Sequence, residues 1–151
     1  MSKENRSGGT GHCNPDPAVS FNNLKDVVDR LRSPGGCPWD REQTPMSIRQ
    51  YLLEEAHELV EAIESGDPGH LCEELGDVMF QVLFLSRMAQ EYGWFEVTEV
   101  MDRIAEKLVR RHPTSLATQG LTTPPPWKEA GSSLKPLRKG KHANRWGKAS
   151  P

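Results

Sequence analysis

The chain has 151 residues, of which 35% are hydrophobic and 26% charged. That length suits one domain with a core of its own, but so low an apolar share predicts that part of the chain stays outside it. A net charge of −2 hides a split between 12 Lys+Arg and 20 Asp+Glu through Trp127 and 7 Lys+Arg with one acid, Glu129, beyond it, so an acidic body precedes a basic tail.

Residues 1–21 are mostly Gly, Ser, Asn and Pro with few apolar side chains and read as a disordered lead-in. They contain no apolar run, so neither a signal peptide nor an anchor is expected, and no stretch of the chain reaches the roughly 20 apolar residues of a membrane span. The cysteines, Cys13, Cys37 and Cys72, are odd in number and share no metal-binding spacing. Free thiols in a reducing cytoplasm are expected.

Leu24, Val27, Val28 and Leu31 follow at helical spacing, with Asn22 or Asn23 as the cap. The Pro and Gly of SPGGCPWD end that helix. Thr44-Pro45 predicts the start of a second helix that runs to about Ser65 and closes on Gly66. Asp67-Pro68 predicts a third, running to Gly93, and a fourth carries Val97, Val100, Met101, Ile104, Ala105 and Leu108 until Pro113. Residues 114–151 are rich in Pro, Gly, Ser and Lys and read as a tail. No strand alternation appears, so the expected fold is all-α: a compact bundle of about four helices over residues 22–113, completed by self-association.

Within YLLEEAHELVEAIESGDPGHLCEELGDVMF, two carboxylate pairs share one spacing, Glu55 with Glu58 and Glu74 with Asp77. Each residue advances about 100° around a helix. On the third helix Leu71, Leu75, Val78, Val82 and Leu85 then form one apolar face, and Phe80, Phe84 and Met88 form nearly the opposite one. Glu74, Asp77 and Gln81 fall in the strip between, and an ordinary surface helix would not put two phenylalanines on its wet side. On the second helix Leu52, Ala56, Leu59 and Ile63 make the expected core face, with Glu55 and Glu58 at its edge. A short GDPG turn would bring the two acid strips together. Four converging carboxylates require raised pKa values or a cation, and a hard divalent ion with oxygen ligands, Mg²⁺ first, answers that need.

The segments GCPWDREQTPMSIRQYLLEEAHELVEAIESGD, EELGDVMFQVLF and EKLVRRHP resemble the MazG family of nucleoside triphosphate pyrophosphohydrolases over about Leu24 to Pro113. The resemblance implies an all-α fold built into a dimer or larger oligomer. It also implies Mg²⁺-dependent hydrolysis of a nucleoside triphosphate to the monophosphate and pyrophosphate, with Mn²⁺ as a substitute ion. It assigns the metal to Glu55, Glu58, Glu74 and Asp77, and makes Glu54 and Glu73 neighbours that orient water or substrate. Lys107 and Arg111 match basic positions that face the phosphates, although a cationic helix end explains them equally well. Trp39 stands either as a stacking surface for a base or as a hydrophobic plug. Two other readings of the chain are a phosphoribosyl-ATP pyrophosphohydrolase-like enzyme and a catalytically silent helical protein whose basic tail binds nucleic acid weakly. After RRHP the chain departs from the family pattern with TSLATQG, and Gly131 stands where a lysine is expected one turn after Trp127.

Overall fold

A computed structural model of the chain describes residues 16–113 and Ser115. Five helices follow in chain order: α1 (Pro17–Arg32), α2 (Pro38–Glu42), α3 (Arg49–Ser65), α4 (Pro68–Glu91) and α5 (Val97–Arg111). The all-α bundle of four long helices is thus as expected, with one short extra turn of helix before α3. No strand occurs among the described residues. Residues 1–15, Trp127 and nearly all of the predicted tail lie outside them.

Local chemistry sets the boundaries. α1 begins five residues before the expected Asn22, because the Asp16 side chain accepts a hydrogen bond from the Ala18 amide at 2.9 Å and Pro17 opens the helix. Residues 17–21 are therefore helical. The CPWD stretch coils into α2, stabilised by a proline at its first position. Thr44 and Ser47 cap each other reciprocally, Ser47 N donating to Thr44 Oγ1 at 3.2 Å and Thr44 N to Ser47 Oγ at 2.9 Å. That closed turn delays α3 to Arg49, four residues past the expected Pro45. Gly66, with φ at +69°, ends α3 in the left-handed region, and the Asp67 side chain caps α4 through Gly69 N at 2.8 Å. Two residues thus turn α3 back along α4.

α4 is the central helix, packing against α1, α3 and α5. The core gathers Val28 of α1, Ile48 before α3, and Leu83, Phe84 and Met88 of α4. Phe80 stacks on Phe84 with centroids 5.2 Å apart, and the Arg32 guanidinium lies 5.3 Å over the Phe84 ring. Arg32 also pairs with both carboxylate oxygens of Glu91 and donates to the Asp40 and Gln43 carbonyls. One side chain therefore ties α1 to α4 and to the C-terminal half of the α2 turn.

This packing covers one of the two apolar faces of α4 more fully than the other. Its buried residues include Glu74, Gln81, Phe84 and Met88, whereas Leu75 and Val82, on the other apolar face, are 50% and 42% exposed. The reason is that α1 and the segment around Ile48 close over the phenylalanine side. Phe84 and Met88 are thereby consumed inside one copy of the chain and are not free for a subunit contact. On α3 the expected core residue Ile63 is 59% exposed, and the buried position is Ala62. α5 buries no residue fully, and its apolar stripe leaves Met101, Ile104 and Leu108 each at least 40% exposed.

Candidate metal centre

The α3–α4 hairpin brings carboxylates from two helices to one place. Glu55 and Glu58 stand one turn apart on α3, and Glu74 faces them from α4. One ligand oxygen from each of the three lies within 4.8 Å of the others. Hairpin register explains the meeting. Antiparallel helices joined by a two-residue turn pair positions roughly equidistant from that turn, so Glu58 lies opposite Glu74, and Glu55, one turn farther from the hairpin, is reached by the Gln81 side chain.

The surroundings grade these acids. Glu74 is buried at 8% exposure, Glu55 half-buried and Glu58 exposed. Gln81 Nε2 donates to Glu55 Oε1 at 3.4 Å. Burial, first of all, holds the Glu55 carboxyl above the ordinary carboxylate range; the negative charges of Asp77, Glu58 and Glu74 add to this, and the hydrogen bond from Gln81 opposes it. Two acceptor atoms, Glu74 Oε2 and Gln81 Oε1, are buried without a hydrogen-bond partner. A buried carboxylate oxygen with no donor is costly and calls for a cation or an ordered water. Three convergent carboxylates with an orphaned oxygen therefore fit a hard divalent ion, whose oxygen ligands they would be.

The other expected site residues are placed unevenly. Asp77 is exposed and stands outside the three-carboxylate set, yet near enough to raise the Glu55 pKa. Glu54 and Glu73 are exposed, each one residue from a member of the cluster. Trp39 is 53% exposed, so it is no plug; it meets Tyr51 edge-on at 6.0 Å. Tyr51 precedes Glu55 by one helical turn, which sets the aromatic pair at one end of the acid stripe. Lys107 and Arg111 are exposed on α5. Among the described residues α5 packs on α4 alone, so helix packing within one copy does not carry these two cations to the cluster. His57 and His112 are exposed, and the His112 ring meets the Leu108 carbonyl at 2.9 Å.

Two neighbours of the site escaped the sequence reading, Tyr51 and His70. His70 Nε2 lies 3.3 Å from Glu74 Oε1. Their spacing from the acids, Tyr51 four before Glu55 and His70 four before Glu74, is the helical signal that marks both.

Residues 43–116 match the family model described as the MazG nucleotide pyrophosphohydrolase domain. The chain is 45% identical over 98 residues to the nucleoside triphosphate pyrophosphohydrolase/pyrophosphatase MazG of Thermotoga maritima, covering 65% of this chain and 38% of that protein. It is 48% identical over 91 residues to the nucleoside triphosphate pyrophosphohydrolase of Escherichia coli K12, covering 60% and 35%. The uncharacterized protein YabN of Bacillus subtilis matches at 46% over 93 residues, 62% of this chain and 19% of its own length. The chain thus spans well under two thirds of each of these relatives. Residues 43–116, which contain the whole three-carboxylate cluster, carry the MazG domain and make this chain a member of the MazG family.

Proposed function

We propose that this chain hydrolyses nucleoside triphosphates to the monophosphate and pyrophosphate, with Mg²⁺ as cofactor and Mn²⁺ as a substitute, as a cytoplasmic house-cleaning enzyme of the nucleotide pool. The observation that carries this reading is the meeting of Glu55, Glu58 and Glu74 within 4.8 Å, in the domain whose relatives bear that activity in their names. Mg²⁺ bound by these acids, with Asp77 completing the set, supplies neutralisation of the triphosphate charge and acidification of a bound water.

The chain's own residues would do the rest. Water attacks the α-phosphorus, the bond to the bridging oxygen breaks, and pyrophosphate leaves with that oxygen. Glu54, exposed beside Glu55, would orient the water and accept its proton, while Glu73 would hold substrate or water from α4. Trp39 would take the base at the Tyr51 end of the stripe. Tyr51 precedes Glu58 by seven residues, about 10 Å along the helix, a span that suits a nucleoside and its first phosphates. Lys107 and Arg111, which α5 does not carry to the cluster within one copy, would meet the departing phosphates from a second copy. Positioning and charge neutralisation are the main demands of such a reaction.

The chain would act as a homo-oligomer. Leu53, Ile63 and Leu75 are 62%, 59% and 50% exposed, and with the open stripe of α5 they are apolar side chains that a second copy would cover. A second copy is the occupant that the family resemblance implies. No helix among the described residues is long and apolar enough to cross a membrane.

The test is a panel of NTPs and dNTPs, with phosphoribosyl-ATP included, incubated with the protein and Mg²⁺ or with EDTA. Pyrophosphate and a monophosphate are expected from at least one nucleotide, and only with the metal. Release of orthophosphate and a diphosphate would put cleavage at the wrong bond and refute the reading.

A further inference from the structure

We propose that His70 is a positioning residue of the metal centre: it holds Oε1 of Glu74 so that the buried Oε2 stays free for the cation. The inference rests on the metal reading above and adds to it a residue that lies outside the acidic motif.

His70, Glu74, Asp77 and Gln81 stand at i, i+4, i+7 and i+11, within an arc of about 60° on α4. The imidazole therefore shares one face with the acids and closes the row at the hairpin end. His70 Nε2 is 3.3 Å from Glu74 Oε1, whereas Glu74 Oε2 is buried and has no hydrogen-bond partner. An ordinary i, i+4 pair on a helix surface has both groups in water and is worth a few tenths of a kcal/mol. This pair differs because the Glu74 side chain is 11% exposed while that of His70 is 40% exposed. A buried carboxylate free to rotate about its last torsion would present either oxygen to the ion. An imidazole fixed on one of them selects the other.

The histidine acts on Glu74 and not on the ion. The three-carboxylate set closes within 4.8 Å without the imidazole, and a hard cation prefers oxygen. Outer partners that fix ligand orientation in this way typically change metal affinity 10- to 100-fold.

The experiment is titration of the full chain with Mn²⁺ alone, reading free ion from its aqueous EPR signal, with metal-free melts beside it. His70→Ala should weaken Mn²⁺ binding about 10-fold or more while the metal-free melt stays near that of wild type. His70→Gln, whose amide can donate to Glu74, should recover most of the affinity. Adding His70→Ala to Glu74→Gln should cost little further, because the partner is already gone. Unchanged binding in His70→Ala, equal loss in His70→Gln, or a full additional loss on the Glu74→Gln background would each overturn the proposal. Absence of Mn²⁺ binding in the wild type would instead defeat the metal reading on which it stands.

Discussion

Replacing Glu74 by glutamine should make the metal-free protein more stable and the metal-loaded protein less so. The carboxylate is 8% exposed, and its ligand oxygen lies within 4.8 Å of those of both Glu55 and Glu58. Two unit charges 4.8 Å apart repel by about 3.5 kcal/mol at an effective dielectric of 20 and about 0.9 kcal/mol in water. Glu58 is at the surface and Glu55 holds its proton more firmly than usual, so the repulsion relieved lies toward the low end. A gain of about 1–2 kcal/mol is expected, offset in part by the changed His70 contact. The amide keeps the shape of the side chain, so no cavity is opened.

With metal the order should invert. Mg²⁺ at 100 times its dissociation constant stabilises the wild type by about 2.7 kcal/mol. For a folded body of this size, 1 kcal/mol shifts the melting temperature by about 4–8 °C. Thermal melts at one protein concentration should therefore show the metal-free variant about 5–15 °C above the metal-free wild type. Mg²⁺ should raise the wild type by about 10–20 °C and leave the variant nearly unmoved. A variant that melts lower than wild type without metal, or that gains as much from Mg²⁺, would refute the reasoning that this carboxylate is buried for a cation.

Glu55 sets a pH dependence. Its folded pKa is raised above the ordinary 4.5, mainly by burial, so in the window above 4.5 the folded state binds more protons and metal-free stability falls as pH rises. Urea unfolding of Glu55→Gln across that window should show the slope flattened relative to wild type; parallel profiles would contradict the assignment. Phe84→Ala, at 2% exposure between Phe80 and the Arg32 guanidinium, should cost about 3–5 kcal/mol in denaturant midpoint analysis, and a loss under 1 kcal/mol would mean that the core is not where it is drawn. Sedimentation at micromolar concentration should show a dimer or larger species, and Ile63→Glu, which charges an exposed apolar position, should dissociate it; a monomeric wild type would refute the self-association. Deleting residues 128–151 should leave turnover at saturating substrate unchanged, and any loss of apparent affinity at low salt should vanish as the Debye length falls to about 10 Å near 0.1 M; a turnover defect that persists in high salt would put the tail in the active site.

The helices were legible because their ends are written in local chemistry. Gly66 and Asp67-Pro68 mark the hairpin unambiguously, since a left-handed glycine and a side-chain cap need only their own neighbours. The starts of α1 and α3 were missed for the same kind of reason, read the wrong way. Asp16 is as good a cap as Asn22, and the Thr44–Ser47 exchange forms a closed turn where a helix start was expected. α2 was unreadable as a helix because five residues are too few to show an apolar period.

The acid cluster was legible for a deeper reason than its motif. Periodicity fixes which residues share a strip, and a two-residue hairpin fixes which strips meet, so Glu55, Glu58 and Glu74 converge from spacing alone. Periodicity does not say which of two apolar faces is covered. On α4 both faces are apolar, and the choice was made by elements distant in sequence: Arg32, reaching from α1 to Glu91 and the α2 carbonyls, and Ile48, buried before α3. Their closure over Phe84 leaves Leu75 and Val82 in the open. Gln81 and Glu74 are buried instead on the side where α3 packs along α4, with orphaned oxygens. The hairpin packing is thus what gives the carboxylates their low-dielectric flank. A centre of the same acids on a fully solvated hairpin would hold its cation more weakly, because water would compete for every ligand and screen every charge.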